Sequence, residues 1–245
     1  MSPAKRADLF LVDHGFYESR ARAQAAIAAG LVRVNGQALT KASQHLDETV
    51  LIEAEAPHPF VSRGGMKLSA ALDHFSVDIR DRICLDIGSS TGGFTDCLLQ
   101  RGAKKVYAVD VGRDQFHASL RHDPRIHLRE ECDARTLSTN DFDETPSILV
   151  IDVSFISLKL ILPAVFRLMS PDAIMIALVK PQFEVGRSHL KKGIVRDQAV
   201  RDAARDDMIG FIKNEGWRVR GVIDSPLVGG DGNHEYLVAA ERRSS

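Results

Sequence analysis

The sequence predicts an α/β protein: a large Rossmann-like domain on a seven-stranded sheet, preceded by a small α+β module. Three observations carry this. From about Ser69 onward, short apolar runs alternate with helical patterns. The first of these runs (Ile83, Cys84, Leu85, Ile87) ends in Asp86-Ile-Gly-Ser-Ser-Thr-Gly-Gly-Phe-Thr95, whose glycines open a helical pattern at Phe94, Cys97 and Leu98. That is the strand, turn and helix of a doubly wound sheet. Residues 1–55 read as a separate unit, 56–62 as a linker and 63–245 as the large domain. At 245 residues and 44% hydrophobic content, the chain is long enough for two cores.

In the first unit, Leu9, Leu11, Val12 and Phe16 begin a helical pattern that Gly15 interrupts. An alanine-rich helix follows from Ser19 to Ile27, with Ser19 as its cap and Gly30 as its stop. Leu31-Val-Arg-Val34 alternates, Asn35-Gly36 is a two-residue hairpin signal, and Val50-Leu-Ile52 supplies a later strand. Up to Leu46 the unit has six basic residues (Lys5, Arg6, Arg20, Arg22, Arg33, Lys41) against the acids Asp8, Asp13 and Glu18, an excess of +3. Such a local excess can meet phosphates, although the whole chain carries a net charge of only −1. A proline-containing stretch, Ala56-Pro-His-Pro-Phe-Val61, leads onward.

In the large domain a helix through Leu68, Ala71, Leu72 and Phe75 precedes the first strand at 83–87. Further strands are expected at 105–110, 126–130, 147–152 and 173–180, with helices between them. Asp197 caps an amphipathic helix running to Glu215, and Gly216 stops it. Strands at 217–224 and 235–240 complete the sheet.

No apolar run approaches the roughly 18 residues of a membrane span, and the N-terminus lacks a signal-peptide core. Cys84, Cys97 and Cys132 have no metal-ligand spacing, and the histidines form no i, i+4 pair. The expectation is a cytoplasmic protein with reduced thiols, no metal and no membrane partner.

An acid two places before the first glycine distinguishes this loop from G-x-G-x-x-G dinucleotide loops. Asp86 would repel a pyrophosphate but favour the cationic amino-acid end of S-adenosylmethionine. Asp110 closes the next strand, where an acid takes a ribose hydroxyl pair. The candidate cofactor residues are Asp86, Gly88, Ser89, Gly92, Gly93 and Phe94, then Asp110, Val111, Asp133 and Asp152 beyond the following strands. The fourth strand ends Leu149-Val-Ile-Asp152 without the Asn/Asp-Pro-Pro-aromatic sequence of amine-methylating enzymes. The fifth ends Ala177-Leu-Val-Lys180. A lysine whose ammonium is disfavoured by burial and by a neighbouring cation such as Lys67 is a competent base for a hydroxyl acceptor. Asp152 can orient it, and Glu235 can hold either the acceptor ribose or Lys67. Arg63 and the basic loop Arg187-Ser-His-Leu-Lys191-Lys192 are further candidates for RNA contact, with Lys5, Arg6, Arg20, Arg22 and Lys41.

Gly15-Phe-x-x-Ser-Arg-x-x-Ala and Ile27-x-x-Gly-x-Val-x-Val-Asn-Gly36 resemble the RNA-binding module named after small-subunit ribosomal protein S-four. The large domain resembles FtsJ-type ribose 2′-O-methyltransferases. With Val61-Ser-Arg-Gly-Gly-x-Lys-Leu68, Thr91-Gly-Gly-Phe-Thr95, Asp152-x-Ser-Phe-Ile-Ser157 and Leu178-Val-Lys-Pro-Gln-Phe-Glu184, nearly the whole chain is similar to the TlyA family of rRNA methyltransferases, often labelled hemolysins. The resemblance implies a Lys-Asp-Lys-Glu tetrad at Lys67, Asp152, Lys180 and Glu235. It also implies a cytidine ribose of 23S rRNA as acceptor, with the large ribosomal subunit the favoured partner and 16S rRNA a second target of longer members. The chain stops five residues after Ala240, as in the shorter type. Asp110-Val-Gly-Arg-Asp-Gln-Phe116 departs from the family's Asp-Val-Gly-Tyr-Gly-Gln-Leu. The competing expectations are a membrane-damaging hemolysin and a non-catalytic RNA-binding assembly factor.

Overall fold

The structure, a computed structural model, describes residues 4–17, 19–54, 59–229 and 232–242, with the side chain of Arg187 outside that set. The chain divides into two compact units, Met1–Pro59 and Phe60–Ser245.

The first unit contains β1 (Lys5–Arg6), α1 (Ala7–Asp13), α2 (Arg20–Ala28), β2 (Val32–Val34), β3 (Gln37–Ala38), β4 (His45–Leu46) and β5 (Ile52–Ala54). Ser19 caps α2 by accepting a hydrogen bond from Arg22 N at 3.3 Å. Asn35 and Gly36 both have positive φ, 52° and 77°, and turn β2 into β3. Phe10, Leu11, Ala23, Ile27, Val32 and Leu46 pack together as the core. The late strand lies two residues beyond its expected start at Val50. Asp47 binds Thr49 N at 2.9 Å and Asn35 Oδ1 binds Leu51 N at 2.8 Å, so side chains take the backbone groups of this turn before the ladder starts.

The second unit runs α3 (Gly64–His74), β6 (Ile83–Ile87), α4 (Gly93–Gln100), β7 (Lys105–Val109), β8 (Ile126–Arg129), β9 (Ile148–Ile151), α5 (Leu162–Phe166), β10 (Ile174–Val179), α6 (Pro181–Glu184), α7 (Gln198–Asn214), β11 (Trp217–Asp224) and β12 (Tyr236–Arg242). The strands form one seven-stranded sheet in the order β11-β12-β10-β9-β6-β7-β8. β12 is antiparallel to both neighbours, and the remaining pairs are parallel. Side-chain alternation along β6 builds two cores. Ile83, Leu85 and Ile87 join Leu162, Val165, Met208 and Ile212 on one face. Cys84 joins Leu68, Leu72, Cys97 and Leu98 on the other. Phe60 is buried in this second core, so the chain is packed into the unit from its first residue. The strand order reverses between β6 and β9, which places the ligand crevice beyond their carboxyl ends.

Candidate active site

Two cavities open at that crevice. The larger, about 460 Å³, is lined by Gly88, Asp110, Val111, Gln115, Cys132, Asp133, Asp152 and Phe155 among others. The smaller, about 240 Å³, is lined by Ser62, Arg63, Lys67, Ser89, Thr91, Gly93, Phe94 and Asp152 among others. Gly88, Ser90 and Asp152 border both.

Backbone geometry fixes the glycines. Gly88 has φ +81°, and a Cβ there would stand 2.3 Å from the carbonyl oxygen of Asp152. A Cβ on Gly93 would meet Ser62 Oγ at 2.1 Å, so the start of α4 rests directly on the segment entering α3. That segment is also held by the buried carboxylate of Asp96, which accepts from Val61 N at 2.7 Å. Gly92 is left-handed and packs near Leu120 and Phe116, away from the cavity walls.

Asp86 is fully buried behind this loop. Thr95 donates to its Oδ2 at 2.6 Å, while its Oδ1 has no hydrogen-bond partner. Burial pushes its carboxyl up to about 7; the Thr95 hydrogen bond offsets part of this, and the charges of Asp152 and Asp110 add to it. The Ser89 hydroxyl is likewise buried without a partner. A buried unsatisfied acceptor and a buried unsatisfied hydroxyl three residues apart in the same strand-to-loop segment fit the ammonium and carboxylate of an amino-acid moiety. Asp110 is preset by backbone donors, Ser90 N at 2.7 Å and Gly112 N at 2.6 Å. Each carboxylate oxygen keeps a second lone pair for a ribose hydroxyl. Val111 is exposed at the mouth. The Asp133 carboxylate lines the larger cavity but is clasped by Arg135, with Nη2 at 2.6 Å, which depresses its pKa.

Lys180 directly follows β10 and Asp152 directly follows β9. Lys180 Nζ lies 2.5 Å from Asp152 Oδ1, an ion pair without hydrogen-bond alignment, and donates instead to Ser154 Oγ at 2.9 Å. The lysine side chain is only 11% exposed. Lys67 does not serve as an unpaired cation: its Nζ donates to Glu235 Oε2 at 2.5 Å, forming a second, separate ion pair. Pairing with Lys67 is one of the two roles the sequence leaves open to Glu235, and it compensates the charge of Lys67.

The loop after β9 contains features that sequence reading passed over. Phe155 has φ +66° and is 91% exposed, a conformation that bulky residues rarely adopt. Its ring lies 5.2 Å from that of Phe183 at 51°. The loop is anchored by Glu184, which accepts from Ser157 Oγ at 2.5 Å and Leu158 N at 2.9 Å, while burial pushes its pKa upward. Its signal in the sequence was an aromatic residue three places beyond a strand-end acid.

Among the basic candidates, Arg63 borders the smaller cavity, Lys191 and Lys192 are exposed, and the side chain of Arg187 lies outside the described residues. Buried Asn233 fastens their loop, donating to Gly193 O at 3.0 Å and accepting from Val195 N at 3.2 Å. In the first unit Lys41 is exposed, but Lys5 pairs with Asp13, and Arg6 and Arg20 both pair with buried Asp8. Lys5, Arg6 and Arg20 are therefore already engaged by acids. Cys84 and Cys97 are buried free thiols, and Cys132 lines the larger cavity. Among the described residues no cluster could hold a metal and no helix is long and apolar enough to cross a membrane.

A sheet of this order, with an acid-glycine loop at its switch point, defines an S-adenosylmethionine-dependent methyltransferase. Residues 60–242 match the FtsJ-like methyltransferase family and residues 5–52 match the S4 domain; the chain belongs to the FtsJ-like family, in its TlyA-type fusion with an S4 RNA-binding domain. It is 40% identical to the 16S/23S rRNA (cytidine-2′-O)-methyltransferase TlyA of Mycobacterium tuberculosis, covering 97% of this chain and 90% of that protein. It is also 40% identical to the 23S rRNA (cytidine-2′-O)-methyltransferase TlyA of Campylobacter jejuni, over 73% of this chain and 69% of the relative. A solved structure from Streptococcus thermophilus that carries a hemolysin label is 40% identical with a TM-score of 0.78, covering 100% of this chain and 90% of that one.

Proposed function

We propose that this protein transfers a methyl group from S-adenosylmethionine to the 2′-hydroxyl of a cytidine ribose in 23S rRNA, acting on the large ribosomal subunit. The observation that carries the reading is the placement of Lys180 against Asp152, the residue that borders both cavities. The names of the M. tuberculosis and C. jejuni relatives support the substrate, and both include 23S rRNA.

The cofactor supplies an electrophilic methyl group on a sulfonium. Asp86 and Ser89 would take its amino-acid end, and Asp110 its ribose, in the groove next to Asp152. Lys180, once it has released its own proton and stands as the free amine, accepts the proton that the 2′-hydroxyl loses as the oxygen–carbon bond forms and the methyl group parts from the sulfonium sulfur, while Asp152 and Ser154 aim the amine. Lys67, which lines the smaller cavity and is held by Glu235, would keep the acceptor in line, and fixing both reactants contributes a large part of the rate. Phe155, exposed at the mouth, offers a ring on which the extruded base can stack.

Isolated large and small subunits incubated with methyl-labelled S-adenosylmethionine test this reading. Label should enter 23S rRNA of the large subunit in an alkali-stable form. Label confined to protein, or to neither subunit, would refute it.

A further inference from the structure

We propose that Asp8 is a positioning residue for RNA binding: it holds the guanidinium groups of Arg6 and Arg20 together, so that their unoccupied edges form one preorganised phosphate clamp. The proposal rests on the reading of the first unit as the module that meets rRNA.

Asp8 is fully buried at the start of α1. Its Oδ2 accepts from Arg6 Nη2 at 3.1 Å, Arg20 Nε at 2.8 Å and Gln24 Nε2 at 2.7 Å. Its Oδ1 accepts from Arg6 Nε and from Leu9 N, both at 3.1 Å. One buried carboxylate thus joins β1, α1 and α2. The Arg6 hydrogen bonds, with those of Arg20 and Gln24, hold its carboxyl well below the usual carboxylate range, so it stays charged at any physiological pH.

The two arginines are 38% and 53% exposed. Arg6 spends its Nε edge on Asp8 and Arg20 spends Nε alone; among the described residues, Arg6 Nη1 and both Nη atoms of Arg20 have no partner. Two cations on one anion leave a net positive charge at the surface, with planar donors fixed before any ligand arrives. Ordering long side chains in advance removes an entropic cost from binding. The neighbouring Lys5–Asp13 pair has neither property, since both partners are about half exposed and either can swing away.

The prediction has a sign opposite to simple electrostatics. Asp8→Asn removes a negative charge from a phosphate-binding face, and charge alone would tighten RNA binding and steepen its salt dependence. Positioning predicts weaker binding, by about tenfold, because both arginines regain their freedom. The measurement is the dissociation constant of the full chain for an rRNA fragment across a salt series, with thermal melting to confirm a folded module. Arg20→Lys keeps the charge and leaves Asp8 in place but loses the planar fork; it should weaken binding too, and its loss should not add to that of Asp8→Asn. If Asp8→Asn binds as tightly as wild type or tighter, or if the two losses add, the clamp is wrong. Failure of Arg20→Lys to weaken binding overturns it even where Asp8→Asn misfolds. Absence of binding by the wild-type chain would instead overturn the RNA-binding reading of the unit.

Discussion

Glu235 Oε2 accepts a hydrogen bond from Lys67 Nζ at 2.5 Å, linking the first helix of the methyltransferase unit to the entrance of its last-numbered strand across 168 positions of sequence. The side chains are 11% and 3% exposed, so each is the other's main substitute for water. Glu235→Gln would strand a mostly buried ammonium. Breaking such a pair costs about 3 kcal/mol, and urea unfolding should show a loss of this order together with reduced methyl transfer. Unchanged stability would mean that solvent already supports the lysine.

Lys180 should separate chemistry from cofactor binding. Lys180→Ala is expected to lower turnover by at least about 100-fold, the usual contribution of a general base. S-adenosylhomocysteine should bind nearly as before by calorimetry, because the residues proposed to hold it lie mainly beyond β6 and β7. Lys180→Arg should not restore activity, as a guanidinium cannot give up its proton. Near-wild-type turnover of the arginine variant would make Lys180 an electrostatic positioner.

Asp86 supplies a pH test. Its folded pKa is raised to about 7, so the free protein retains a proton there between the ordinary aspartate range and neutrality. This proton favours the folded state, and the gain is lost as pH rises through 7. A cationic ligand group needs the ionised carboxylate, so the sign reverses for binding. Affinity for S-adenosylhomocysteine should weaken by up to about tenfold per unit as pH falls below 7. Asp86→Asn should bind weakly with a flatter profile. Equal steepness in the variant would assign the proton to another group.

Phe155 is predicted to act on the nucleic acid alone. Phe155→Ala should raise the KM for rRNA about tenfold, in line with the loss of one base–aromatic stack, while S-adenosylhomocysteine binding stays within twofold. A KM that does not move would reduce Phe155 to a surface residue with a strained backbone.

The sheet was legible because each strand is a short apolar run between turn signals, with Asp110, Asp152 and Lys180 directly following such runs and Asp86 one residue from the end of its own. Strand ends are the positions a doubly wound fold makes functional, so sequence order alone brought these residues to one crevice. Partner choice was not legible. Nothing local tells Lys67 to pair with Glu235, and nothing in the run of basic residues from Lys5 to Arg22 reveals that Asp8 is buried beneath two of them. The left-handed Phe155 escaped for a related reason: a positive φ at a bulky residue is imposed by its surroundings, here by a loop that Glu184 pins from another element.

Nucleoside mass spectrometry of rRNA treated with the purified protein and S-adenosylmethionine tests the central claim most directly. The account predicts a new 2′-O-methylcytidine in 23S rRNA, absent with Lys180→Ala. A methyl group found on a base instead of a ribose, or no new modification with the wild-type protein, would contradict it.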